Sequence, residues 1–296
     1  MEFHGSMCAI VTPFLNDEID VPTLGRFIDF QIENGTSALI PCGTTGESAT
    51  LTHTEHHLVI EKTIEFANKR VPVIAGTGSN STAEAISLTR EARKAGADAA
   101  LLITPYYNKP TQQGLYTHYM AIADAVDIPQ ILYNVPSRTA VNIEPETVAR
   151  LAEHPNIVAI KEASGSMDYV SRLRGLCDLD ILSGNDNLNL PLMGLGAKGA
   201  ISVLANVVPG MCAEMMKAVA ANDWEAARQI HYKTFGLTEA LFVETNPIPV
   251  KAALALMGLI SDEIRPPMTR LDERYMPRLK RELAALGLLN TAGTPV

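Results

Sequence analysis

A lysine at the end of an apolar run is the most chemically suggestive residue of the chain. Lys161 closes the run Ile157-Val-Ala-Ile160 and opens Lys161-Glu-Ala-Ser-Gly165. By the two-residue alternation of a strand, Ile157, Ala159 and Lys161 share one face. On the inward face of a closed sheet, burial favours a neutral amine over an ammonium, and a neutral amine can attack a ketone to form a Schiff base. The same position also suits a lysine that snorkels outward or pairs with a carboxylate such as Glu162. Position alone leaves these two readings even.

Other polar residues follow apolar runs in the same way. Tyr133, one strand–helix unit earlier, could shuttle protons to and from a carbinolamine, although a packed aromatic with a satisfied hydroxyl is the commoner role. Thr44 and Thr45 stand in Gly43-Thr-Thr-Gly-Glu-Ser48, where hydroxyls and free N–H groups could hold a carboxylate, or where the chain simply turns tightly. Arg138, just beyond Pro136, has the forked donor that suits a carboxylate, against the default of a solvated loop arginine. Tyr106 and Tyr107 form a loop pair for which packing or an interface is as good an account as catalysis.

The elements that must position these residues are legible. Short runs rich in Val, Ile, Leu and Ala begin near Ser6, Ser37, Pro72, Asp98, Pro129, Asn156, Asp180 and Gly199, each followed by a segment with helical apolar spacing. Near-continuous apolarity marks strands buried on both faces, and strand–helix alternation makes them parallel. Eight such units predict an α/β fold, a closed (β/α)8 TIM barrel, whose chemistry gathers at the C-terminal ends of the strands. Thr52-His-Thr-Glu55 and Ser81-Thr-Ala-Glu84 have capping-box spacing, and Gly96 stops the second of these helices. Beyond Val203 the strand signals cease, and Ile230, Leu237 and Leu241 keep helical spacing. The chain is therefore read as a catalytic barrel over 1–222 and a helical C-terminal region over 223–296, with a loose tail from Asn290 to Val296.

Composition narrows the function classes. Asp and Glu number 33 against 24 Lys and Arg, a formal charge of −9, which argues against a general binder of nucleic acid or anionic membranes. With 47% hydrophobic and 19% charged residues, disorder and fibrous repeats are excluded. No apolar stretch reaches the roughly 18 residues that span a bilayer, and the start has an early acid and no basic leader, so a cytoplasmic location is expected. Cys8, Cys42, Cys177 and Cys212 are far apart and form neither a metal pair nor a disulfide framework. Gly76-Thr-Gly-Ser-Asn-Ser81 lacks the third glycine of a dinucleotide fingerprint, and neither a phosphate loop nor a serine-nucleophile elbow is present. His53, His56 and His57 lack metalloprotease spacing and read as a solvent-facing or effector-contacting cluster, so no metal is expected.

Six strings stand together in family order and spacing: GTTGES at 43–48, YYNKP at 106–110, YNVPSRT at 133–139, KEASG at 161–165, SGND at 183–186 and GAISV at 199–203. With them most of the chain closely resembles the dihydrodipicolinate synthase family of pyruvate-dependent class I aldolases. The resemblance implies condensation of pyruvate with L-aspartate 4-semialdehyde on the diaminopimelate route to lysine. It casts Lys161 as the Schiff-base residue, with no metal or organic cofactor. Thr44, Tyr133 and Tyr107 match the family's proton relay, Tyr107 reaching into a neighbouring subunit's site. Thr45 matches the pyruvate-carboxylate contact, Arg138 the receiver of the semialdehyde carboxylate, and Ile201 the carbonyl beside the Schiff base, with Gly184 lining the same pocket.

The family also implies a homotetramer built as a dimer of dimers. In some lineages lysine inhibits at a dimer-interface cavity, for which the matching positions are Ser48, Ala49, His53, His56, Asn80, Glu84 and Tyr106. Glu84 could instead close the capping box begun by Ser81. Asn187-Leu-Asn-Leu-Pro191 departs from the acidic run of some members, and Asn246-Pro-Ile-Pro-Val-Lys251 matches a family string near the barrel mouth that reads as structural. The rival readings are a sibling such as N-acetylneuraminate lyase or a keto-deoxy-sugar-acid aldolase, a catalytically silent barrel, and an unrelated phosphate-binding barrel. The sialic-acid branch does not place an arginine after the YNVP-like turn, whereas this chain has Arg138, and the silent barrel would be expected to have lost Lys161, Tyr133 or a threonine, all of which are present.

Overall fold

A computed structural model of the chain describes residues 3–290 and 294–295. Eight parallel strands run in sequence: β1 Gly5–Ala9, β2 Ala38–Ile40, β3 Ile74–Gly76, β4 Ala99–Ile103, β5 Gln130–Asn134, β6 Ile157–Glu162, β7 Asp180–Ser183 and β8 Gly199–Ser202. Their hydrogen-bonded order is β2-β1-β8-β7-β6-β5-β4-β3, and a parallel bridge from Leu39 to Val73 joins the two edges. The sheet is thus closed into the barrel that the apolar runs predict, with every strand starting within two residues of its expected position.

A helix follows each strand: α1 Val21–Glu33, α2 His53–Ala67, α3 Thr82–Ala95, α4 Gln112–Ala125, α5 Pro145–Leu151, α6 Met167–Arg174, α7 Asn189–Gly194 and α8 Pro209–Ala220. The period of two sorts the strands cleanly. Leu101, Ile131, Ala159, Leu182 and Ile201 fill the barrel interior, while Leu102, Leu132, Ile160 and Ile181 pack outward against helices. Ile157 corrects the sequence reading, because it belongs to the outer layer and not to the face of Ala159 and Lys161. Between Gln130 and Ile131 the register against β6 skips from Ile157 to Ala159, so Val158 is an extra residue that reverses the alternation there.

The Thr52 capping box forms completely. That of Ser81 forms by half: the Ser81 hydroxyl accepts from the Glu84 amide at 3.4 Å, but the Glu84 carboxylate does not return. The Ser81 amide donates to Ser79 Oγ instead, which leaves Glu84 for other partners.

Three further helices, α9 Trp224–Ala240, α10 Ile248–Leu256 and α11 Met276–Ala285, complete the chain. Asp223, where the boundary was expected, caps α9 by accepting from the Ala226 amide at 3.0 Å. Leu237 and Leu241 of this region, with Val250 and Leu254 of α10 and Leu279 and Leu283 of α11, share one core with Cys8 and Ile10 at the first strand. Such burial is worth about 1.5–3 kcal/mol for each large side chain, and it fixes α10 against the mouth of the barrel. Of the tail read as loose, the described residues are tied down: Leu289 bridges to Pro295, and the Asn290 amide donates to the Thr294 carbonyl at 2.8 Å. Residues 291–293 and 296 lie outside the described residues.

Candidate active site

Lys161 and Tyr133 are register partners on β6 and β5, each one step beyond an inward apolar residue, Ala159 and Ile131. The lysine is 6% exposed, and its Nζ lies 4.2 Å from the centroid of the Tyr133 ring, over its face. It does not snorkel, and among the described residues it has no ion pair. Glu162 is occupied elsewhere, accepting from Asn134 Nδ2 at 2.9 Å and from the Ser164 amide at 2.5 Å, and burial raises its carboxyl above the usual range. Gly184 follows β7 against the lysine stem: a Cβ there would sit 2.8 Å from Ala163 Cβ and 3.0 Å from Lys161 Cε. Only glycine leaves the stem its space. Ile201 points inward from β8, paired in register with Met7.

The 43–48 turn is braced at several points. The Gly46 amide donates to the Gly43 carbonyl at 3.1 Å, the Glu47 amide to the Thr44 carbonyl at 3.2 Å, and Thr12 Oγ1 to the Gly46 carbonyl at 2.7 Å. Thr45 is buried, and its hydroxyl accepts from Asn246 Nδ2 at 3.0 Å. Arg138, in a short helix Pro136–Thr139, donates through Nη2 to the Asn246 carbonyl at 3.1 Å. Asn246 therefore connects Thr45 to Arg138 from outside the barrel motifs, a role that the sequence reading of its string as structural did not contain. Its signal was available: a polar residue before Pro in a string already matched near the barrel mouth.

A cavity of about 450 Å³ is lined by Thr44, Tyr133 and Arg138, and also by Ser48, Ala49, His53, His56, Glu84 and Tyr106. Two of the catalytic candidates, Thr44 and Tyr133, thus border one continuous space with most of the effector candidates. Lys161, Thr45, Gly184, Ile201, Asn80 and Tyr107 lie outside its lining. Asn80 supports it, donating from Nδ2 to the Tyr106 carbonyl at 3.1 Å. Tyr107 is not brought to this chain's own site: it stands 90% exposed with φ at +72°, a left-handed conformation uncommon for an aromatic residue.

Within the effector group, Glu84 accepts from Ser79 and contacts His53 Nε2 at 2.9 Å, and these bonds hold its carboxyl below the usual range, Ser79 contributing most. Of the histidine cluster read as solvent-facing or effector-contacting, His56 is not solvent-facing: it is buried, with Nε2 donating to the Gly76 carbonyl at 2.9 Å. Gly76 itself passes close to the 42–43 backbone, where any Cβ would fall 2.3 Å from the Cys42 carbonyl oxygen. Among the described residues no group of three or more His, Cys, Asp or Glu side chains is arranged to hold a metal ion.

Burial pushes His56 and His118 down to about 4. Both are therefore neutral in the fold through a range where the unfolded chain takes up protons. Their contribution to stability is complete above about pH 6.5 and is lost as pH falls toward 4, at most about 3 kcal/mol each. Melting curves at about pH 7.5 and about pH 4.5 test this, with a smaller acid loss expected in His118→Gln. An equal loss in the variant would rule His118 out as a source.

A sequence profile of the dihydrodipicolinate synthetase family matches residues 2–286. The chain belongs to the dihydrodipicolinate synthetase family. A 4-hydroxy-tetrahydrodipicolinate synthase from Geobacter sulfurreducens is 60% identical over 279 residues, covering 94% of this chain and 96% of the relative. The crystal structure of dihydrodipicolinate synthase from Aquifex aeolicus superposes with a TM-score of 0.95 at 47% identity, over 97% of this chain and 99% of that one. The enzyme from Cyanidioschyzon merolae, solved with lysine bound, gives 0.94 at 43% identity, over 97% and 99%. Membership makes the chain an enzyme of the lyase class with the aldolase barrel, and it does not favour the silent-barrel and sibling-aldolase readings.

Proposed function

We propose that the chain is a 4-hydroxy-tetrahydrodipicolinate synthase that works through a Schiff base on Lys161. The observation that carries this reading is an amine buried inside the barrel, stacked on Tyr133 and free of any carboxylate among the described residues. Lys161 Nζ attacks C2 of pyruvate, and loss of water from the carbinolamine gives the imine. Loss of a C3 proton gives the enamine, which attacks the aldehyde carbon of L-aspartate 4-semialdehyde. The amino group of the second substrate then attacks C2, closing the ring and releasing Lys161. The imine is the electron sink, so the reaction needs no metal or organic cofactor.

Tyr133 and Thr44 move the protons, with Tyr107 supplied by a neighbouring subunit, which accounts for its exposure and left-handed backbone. Thr45 holds the pyruvate carboxylate, Arg138 receives the semialdehyde carboxylate, Gly184 keeps the wall open, and the Ile201 carbonyl faces the new bond. We read residues 1–222 as the catalytic barrel and 223–296 as the scaffold of a homotetramer in the cytoplasm. The four free cysteines and the absence of any membrane-length apolar helix among the described residues are compatible with that location.

Pyruvate consumption with L-aspartate 4-semialdehyde, run beside N-acetylmannosamine and a keto-sugar-acid precursor aldehyde, tests the acceptor. Turnover with the semialdehyde alone is expected. Arg138→Ala should raise KM for the semialdehyde by about 10- to 100-fold, the worth of a charge-assisted pair, with pyruvate trapping preserved; turnover only with a sugar aldehyde would move the chain to a sibling activity.

Lysine is the proposed effector, bound near Ser48, Ala49, His53, His56, Asn80, Glu84 and Tyr106. Glu84 supports this because it leaves its capping box and lines the cavity as a carboxylate. Glu84→Ala should abolish inhibition while leaving uninhibited turnover within about twofold, and a wild-type rate unchanged at millimolar lysine would remove the effector.

A further inference from the structure

Lys251 is a second buried lysine, 1% exposed, and nothing in the reaction above uses it. It projects from α10 to Glu47, its Nζ 2.5 Å from Glu47 Oε1 and 3.0 Å from the Thr12 carbonyl, with the Phe14 ring centroid at 4.4 Å. The other carboxylate oxygen accepts from the Arg265 amide at 3.2 Å. Glu47 is itself buried and holds φ at +57°, a conformation that costs an ordinary residue roughly 1–2 kcal/mol. Such a pair does not explain itself as stabilisation, since two desolvated charges are often no better than an apolar pair of the same volume. It does, however, hold Glu47 at one place, and Glu47 is the hinge of the turn whose amide bonds the Thr44 carbonyl.

We infer that Lys251, through its ion pair with Glu47, is a positioning residue that sets the 43–48 turn and thereby the hydroxyls of Thr44 and Thr45. The segment 246–251 holds this turn twice. Asn246 takes the Thr45 hydroxyl, and five residues later Lys251 takes Glu47, so the C-terminal region fixes two points of a loop that precedes it by about 200 residues. Without the second hold, Glu47 is free to leave its left-handed conformation and Thr44 moves with it. This inference rests on the proposed roles of Thr44 and Thr45 at the pyruvate site.

The test is the double variant Glu47→Gln/Lys251→Met, which removes both charges and leaves none uncompensated. A melting temperature close to wild type is expected, together with pyruvate KM raised and borohydride trapping slowed by about tenfold or more, and semialdehyde KM within about twofold. A double variant with wild-type pyruvate KM and trapping rate would overturn the inference, leaving the pair structural. If the double variant does not fold, Glu47→Gln alone is read for the same split between the two substrates. Thr45→Val separates the two levels of argument. If it leaves pyruvate KM unchanged, the assignment of the pyruvate site fails; if it raises KM while the pair variant does not, only the role of Lys251 fails.

Discussion

Lys161→Ala is expected to abolish trapping of pyruvate by borohydride and to lower kcat by a factor on the order of 10⁴ or more, as loss of a covalent nucleophile does. Stability should not fall in proportion. The native side chain is 6% exposed and has a ring face and no ion pair among the described residues, so its removal breaks no ion pair and leaves a modest void. Intact-mass analysis after borohydride reduction, with a thermal melt of the same sample, measures both. The alternative nucleophile is easy to name, because Lys251 is the other buried lysine. Burial pushes its amine down, but Glu47 opposes that shift, and Glu47 and the Thr12 carbonyl together tie Nζ down away from a substrate carbonyl. An adduct that persists in Lys161→Ala and maps to Lys251 would reverse the assignment.

What the sequence discloses and what it hides follow from the range of the interactions. The eight strands are legible because burial on both faces writes a continuous apolar run into each, and the helix starts because a cap is a contact within three residues. Lys161 stands out for the same local reason, a charge where the pattern demands an apolar residue. The bulge at Val158 is invisible because it depends on the register between β5 and β6, which no single strand encodes. The broken capping box at Glu84 is hidden by competition: Ser79 and His53 offer the carboxylate better partners than its own helix end, and one of them comes from another helix. Asn246 and Lys251 are missed as site residues because their partners are about 200 positions away: the string they share marks a place near the barrel mouth but not what either side chain holds. Tyr107 is legible only by resemblance, since a single chain cannot show where an exposed ring with a left-handed backbone is used.

Lys251→Met should be the most destabilising of the single substitutions considered, at about 3–5 kcal/mol, because it leaves the Glu47 carboxylate buried without its counter-charge. Methionine matches the lysine stem, so packing against Phe14 and the α10 core is largely kept and the loss reports the charge. The Arg265 amide remains as a donor to Glu47, but one neutral hydrogen bond offsets only about 1 kcal/mol of that loss. Adding Glu47→Gln to Lys251→Met should then recover most of the stability, since an amide in the same place is neutral and can still accept from the Arg265 amide. Denaturant melts of the two single variants and the double complete a cycle whose coupling energy should exceed about 2 kcal/mol. A Lys251→Met protein as stable as wild type would mean that Glu47 finds solvent or another donor when its partner is lost, and the 43–48 turn would then have to be set by Thr12 and Asn246 alone. Recovery of stability in the double variant without recovery of the pyruvate site is the expected outcome, because a pair that aims the two threonines can be replaced for stability but not for position.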